Sequence, residues 1–129
     1  MPQLRISEAA ALLGVSDDTV RRWADAGRLP TTRKGSRRTV DGAALARLAQ
    51  ELADTAPDGP VRESARNRMR GIVTKVTRDT VMAQVEMQCG PFRVVSLMSR
   101  EAADELGLQP GVVAVASVKS THVVVEVSQ

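Results

Sequence analysis

A chain of 129 residues with 43% hydrophobic and 26% charged residues is globular in composition, and it holds either one domain or two small ones. The net charge of +3 is mildly basic, and Trp23 and Phe92 are the only aromatics, which excludes a platform for stacking single-stranded bases. Cys89 is the single cysteine, so no internal disulfide can form; with no signal-type apolar run and nothing near the ~20 apolar residues of a membrane span, a soluble protein of the reducing cytoplasm is expected.

In chain order, Ser7 is the expected N-cap of a helix over about Glu8–Leu13, with Ala9, Ala10, Leu12 and Leu13 facing inward and Gly14 as its stop. Ser16 caps a second helix. Asp17 and Asp18 suit its positive end, and Val20, Trp23 and Ala24 recur at helical spacing, leaving Arg21 and Arg22 exposed. Gly27 and Pro30 end it. Thr31–Val40 reads as a hairpin-like loop with Lys34-Gly35-Ser36-Arg37-Arg38 at its tip, and Ala43–Leu52 as a third helix whose Leu45, Leu48 and Leu52 close a small core.

The composition then changes. Residues 1–60 hold eleven alanines and three valines, whereas residues 61–129 hold six alanines and fifteen valines, a shift from helix-favouring to strand-favouring residues. Pro57-Asp58-Gly59-Pro60 marks the boundary, so the expected organisation is a domain at 1–53, a stiff linker at 54–61 and a second domain at 62–129. Five strands are expected in the second domain: Gly71–Val76, Val81–Met87, Phe92–Leu97, Val112–Val118 and Val123–Val127. Turns fall at Arg78-Asp79 and Gly90-Pro91, and Ser99 caps a short helix over about Arg100–Leu106 that Gly107 ends. The fold class is α+β, a helix-turn-helix followed by an OB-like five-stranded β-barrel.

Two constellations carry chemistry. Residues 1–40 contain eight Lys or Arg against four acids, and their order supplies a groove-reading helix followed by a phosphate-gripping tip. The DNA-binding candidates are Ser16, Asp18, Thr19, Arg21 and Arg22 on the second helix, with Arg33, Lys34, Arg37 and Arg38 on the loop for sequence-independent phosphate contacts. Trp23 belongs to the core. In the second half, Ser64-Ala65-Arg66-Asn67 combines a planar fork of donors with short neutral ones, which suits a small multi-oxygen anion. Lys119, Ser99 and Ser120 add charge and hydroxyls. His122 has no ligand cluster around it, so no bare metal cation is expected, and Cys89 reads as a small strand residue.

Ile6-Ser7-Glu8-Ala9-Ala10 through Gly14-Val15-Ser16, then Thr19-Val20-Arg21-Arg22-Trp23, Ala26-Gly27-Arg28-Leu29-Pro30 and Arg37-Arg38 resemble the MerR-like, excisionase-type winged helix-turn-helix over about residues 4–52. That resemblance implies a second helix in the major groove and a wing on the DNA backbone. Ser64-Ala65-Arg66-Asn67, Gly71, Val81-Met82-Ala83-Gln84-Val85, Leu106-Gly107-Leu108, Gly111 and Val118-Lys119-Ser120-Thr121-His122-Val123 resemble the Mop or TOBE domain of molybdate-binding proteins and of molybdate-responsive regulators of the ModE type. This second resemblance covers about residues 62–129 and implies molybdate or tungstate held between two copies of the domain. The chain lacks the long dimerising helix of MerR regulators and has room for one Mop unit where related regulators carry two, so homo-oligomerisation is implied.

The sequence reading is thus a cytoplasmic regulator that binds double-stranded DNA and senses molybdate or tungstate. Two alternatives stay open: an intracellular molybdate-binding or storage protein with an accessory helix-turn-helix, and a ligand-independent DNA-binding protein that uses the barrel to oligomerise. An enzyme is not expected, because the sequence has no phosphate-cradling glycine loop with lysine, no nucleophile and base arrangement, and no catalytic metal ligand set.

Overall fold

Short capped helices and tight glycine turns build the first half, and long antiparallel strands build the second. The computed structural model describes residues 2–53 and 64–128, and the chain divides into two compact units, Met1–Gly59 and Pro60–Gln129. The linker expected at 54–61 lies outside the described residues.

In the first unit, β1 (Gln3–Arg5) leads directly into α1 (Ile6–Leu13), and the αL conformation of Gly14, at φ 68°, closes that helix. Ser7 does not cap it. The helix starts earlier, because β1 is hydrogen-bonded to the wing and Arg5 is the N-cap, its backbone N–H donating to the Glu8 carboxylate at 3.1 Å. Helix α2 (Asp17–Asp25) begins as the sequence implies: Ser16 Oγ accepts from the Thr19 N–H at 3.2 Å. Strands β2 (Thr31–Lys34) and β3 (Arg37–Asp41) form the wing around a turn at Gly35, whose φ of 62° favours glycine, and the sheet order is β1-β3-β2. Asp41 then caps α3 (Gly42–Leu52) by accepting from the Ala44 N–H at 3.2 Å.

Ile6, Ala9, Ala10, Val20, Leu29, Val40, Ala44, Leu45 and Leu48 make the core of this unit, with Leu4, Leu13, Val15 and Trp23 packed on it. Two leucines assigned inward are not in it. Leu12 is 67% exposed because α1 docks through Ile6, Ala9 and Ala10, and Leu52, in the last turn of α3, is 48% exposed.

In the second unit β4 (Asn67–Arg78), β5 (Met82–Cys89), β6 (Phe92–Ser99) and β7 (Val113–Val118) form one antiparallel sheet in the order β6-β5-β4-β7. Helix α4 (Arg100–Glu105), capped by Ser99, packs against β5 and β6. A bulge between Val73 and Lys75 bends β4, and the sheet curls into a half-barrel of OB-like type. Its concave face buries Val73, Ala83, Val85, Met87 and Cys89 against Ala103 and Leu108. Gly71 sits tightly against β5: a Cβ there would stand 2.3 Å from the Gln88 carbonyl oxygen and 2.6 Å from Cys89 Sγ.

The fifth strand, expected at Val123–Val127, does not join the sheet. A 3-10 turn at Ser120–His122 follows β7, and Val124, Val125 and Val127 are left 91%, 84% and 84% exposed. Consecutive valines favour an extended strand, but a strand is fixed by its partner, and among the described residues none pairs with this segment.

Candidate functional site

The DNA-facing candidates lie on α2 and the wing. Residues of the helix start, Ser16, Asp18, Arg21 and Arg22, are exposed, and Thr19 is half-buried. They hold one another in place. Arg21 donates to Asp18 Oδ1 at 3.1 Å, Arg22 donates to Thr19 Oγ1 at 3.2 Å, and the Thr19 and Ser16 hydroxyls share a hydrogen bond at 2.9 Å. Both guanidinium groups are thus turned back along the helix toward its N-terminal end, the end that favours anions.

In the wing, Arg33 stands opposite Arg38 and Lys34 opposite Arg37, so two like-charge pairs face each other across the hairpin. Arg33, Lys34 and Arg37 are exposed, with no ion-pair partner among the described residues. Arg38 differs, being bonded to Asp25 and Thr31. A cleft of about 480 Å³ opens between the start of α1, α2 and the wing, with Arg5, Arg21, Arg33, Arg37 and Arg38 in its lining. Arg5 and the lining residues Ser7, Asp17 and Ser36 were not among the sequence candidates. Arg5 reaches the wing only because β1 pairs with β3, Arg5 opposite Thr39, and a three-residue strand leaves no periodic signal.

The oxyanion candidates gather at one end of the half-barrel. Asn67 opens β4 opposite Val118, the last residue of β7, and its side-chain amide donates to the Val118 carbonyl at 3.1 Å. Arg66 and Lys119 are therefore the next residues outward on adjacent strands, flanked by Ser64, Ala65 and Ser120. Arg66, Lys119, Ser64 and Ser120 are exposed, and neither cation has an ion-pair partner among the described residues. Ser99 is not with them. It pairs with Met82 at the opposite end of the sheet, about 40 Å of strand away at ~3.3 Å per residue, and its hydroxyl is engaged in capping α4 by accepting from the Ala102 N–H at 3.1 Å. Among the described residues no group of three or more His, Cys, Asp and Glu side chains converges, and no helix is long and apolar enough to cross a membrane.

Comparison with known proteins bears on both ends of the chain. Residues 4–53 match a family model described as a helix-turn-helix domain, and residues 63–125 match the TOBE domain. Over 63 residues the chain is 35% identical to molybdenum-pterin-binding protein 2 of Clostridium pasteurianum, covering 48% of this chain and 93% of that protein. The chain belongs to the Mop/TOBE family. It carries a helix-turn-helix domain ahead of that module. A molybdate-binding protein of Sporomusa ovata has a similar structure, with 29% identity and a TM-score of 0.50 over 51% of this chain and 98% of that one. The transcriptional repressor DcmR of Methylorubrum extorquens is 38% identical over 69 residues, half of this chain, but the match spans only 26% of the repressor.

Proposed function

We propose that the chain is a DNA-binding transcriptional regulator that senses molybdate or tungstate through a TOBE domain shared between subunits. On this reading residues 1–53 bind DNA, 54–61 link, and 62–129 bind the oxyanion in the cytoplasm. The observation that carries it is the presence on one chain of two cation sets: the arginine-lined cleft beside α2, and Arg66 next to Lys119 at the end of the β4 and β7 pair. A dianion needs partial neutralisation and many donors, and Arg66, Lys119, Ser64, Asn67, Ser120 and nearby backbone N–H groups supply both. Arg66, Lys119, Ser64 and Ser120 are exposed, which favours a site completed by a second copy.

Two further features support the homo-oligomer. Val124, Val125 and Val127 form an exposed apolar segment, and among the described residues β6 and β7 are the edge strands of the sheet. If the anion binds where chains meet, it favours the associated state by its differential affinity, and association sets the spacing of two DNA-reading heads. Calorimetric titration with molybdate, tungstate and sulfate tests the sensor: binding of the first two but not sulfate, abolished by Arg66→Ala or Lys119→Ala, is the expected result. No heat with either metal oxyanion, or an equal response to sulfate, removes it.

A second reading, an oxyanion store with an accessory helix-turn-helix, is favoured by the coverage of nearly the whole length of the small Clostridium pasteurianum protein. A mobility shift separates the two. A regulator binds duplex DNA in a ligand-dependent way, whereas a store binds the oxyanion with no effect on DNA.

A further inference from the structure

The two consecutive arginines of β3 are held differently. Arg37 is exposed at the mouth of the cleft. Arg38 has only 25% of its side chain exposed; its Nε–H donates to Thr31 Oγ1 at 3.1 Å and its Nη2 to Asp25 Oδ1 at 3.1 Å. Thr31 opens β2, Arg38 lies in β3 and Asp25 is the last residue of α2, so one guanidinium joins both strands of the wing to the end of the helix beside it. The C-terminal end of a helix favours a cation, which adds to the attraction of the Asp25 carboxylate. The bridge also answers an internal problem of the hairpin. Arg33 and Arg38 face each other in the ladder, and like charges so placed repel unless a counter-charge stands by one of them.

We propose that Arg38 is a positioning residue for DNA binding: its bridge to Asp25 and Thr31 sets the angle of the wing against α2, leaving Arg33, Lys34 and Arg37 to meet the phosphates. The inference rests on the DNA-binding reading. With the Asp25 side chain 69% exposed, the pair contributes little to stability, so its consequence is alignment rather than folding. Phosphate contacts act as a set only when the wing and the helix lie in register on one duplex.

The sign of one substitution tests it. Asp25→Ala removes a negative charge from a DNA-facing unit, so simple electrostatics predicts tighter binding; loss of the bridge predicts weaker binding. In the full-length protein, Asp25→Ala and Arg38→Ala should each weaken binding to a duplex selected from a random library by about tenfold, with a shallower dependence on salt. Both should speed amide hydrogen exchange across residues 31–41 with no DNA present. The charge swap Asp25→Arg with Arg38→Asp should recover affinity and slow exchange toward wild type, which a phosphate-contacting Arg38 would not allow. Tighter binding by Asp25→Ala, or wing exchange unchanged in that variant, overturns the proposal. If the wild-type protein selects no duplex, the DNA-binding reading fails, while the exchange measurement still decides whether the bridge holds the wing.

Discussion

The two units solve the problem of a small core in opposite ways. The helix-turn-helix unit closes its core with its own side chains and shows mainly charge on its surface, Leu12 and Leu52 being its exposed large apolar residues among those described. The sheet unit leaves Ile72, Phe92, Val95, Leu97, Val113, Val115 and the valines after residue 122 in the open. Both units are of a size at which a single core is only marginally stable. The first reaches closure by wrapping three helices and a wing around alanines and leucines; the second stops at a half-barrel whose apolar remainder a second copy can cover.

If that contrast is right, the units should unfold differently. Leu29 is 1% exposed at the centre of the first core, and Leu29→Ala should cost about 2–5 kcal/mol, melting the helix-turn-helix unit at a midpoint that does not move on dilution. A concentration-dependent midpoint for that unit, followed by the Trp23 fluorescence, would break the comparison. In the sheet unit Gly71→Ala should cost about 1–3 kcal/mol, because the added methyl meets the backbone of Gln88 rather than a flexible side-chain end. That loss should appear in a second transition that does shift with concentration, since tenfold dilution of an associating species corresponds to about 1.4 kcal/mol. Replacing Val124 and Val125 by aspartate should remove the shift and yield monomers in sedimentation; unchanged association would mean that the exposed valines are not the interface. Smaller again, Ser16→Ala should cost about 1 kcal/mol through loss of the cap on α2, seen by thermal denaturation in the first transition alone.

Legibility divided along a similar line. Features set by a few neighbouring residues could be read from the sequence: the Ser16 and Ser99 caps, the glycine stops at Gly14, Gly27 and Gly107, and the wing around Gly35. Features set by distant partners could not. β1 exists because Gln3 meets Asp41 across the sheet, and that pairing also moves the start of α1 ahead of Ser7. β4 begins at Asn67 rather than Gly71, since its first residues, rich in arginine, are held by β7 and carry no apolar alternation of their own. The valines of Val123–Val127 mislead for the converse reason, having strand propensity without a described strand to pair with. The same logic governs the oxyanion candidates. Arg66 and Lys119 are brought to neighbouring positions by register, as two separate segments of the sequence resemblance imply, whereas Ser99 is spent on a helix cap at the far end.

The smallest effect distinguishes the units by acid. Asp79, at the turn between β4 and β5, accepts from the Met82 N–H at 2.6 Å and the Val81 N–H at 2.8 Å, and these bonds hold its carboxyl below the ordinary value of 3.8. A carboxylate whose value is depressed by folding contributes stability that is present above its unfolded value and lost as pH falls through the folded one. Asp79→Ala should therefore lower the midpoint of the sheet unit at neutral pH, and the gap to wild type should start to narrow as pH falls below about 3.8 and go on narrowing through the lower value of the folded carboxyl. A gap that stays constant down to pH 2 would mean that the turn is held by its backbone alone and that the charge on Asp79 adds nothing.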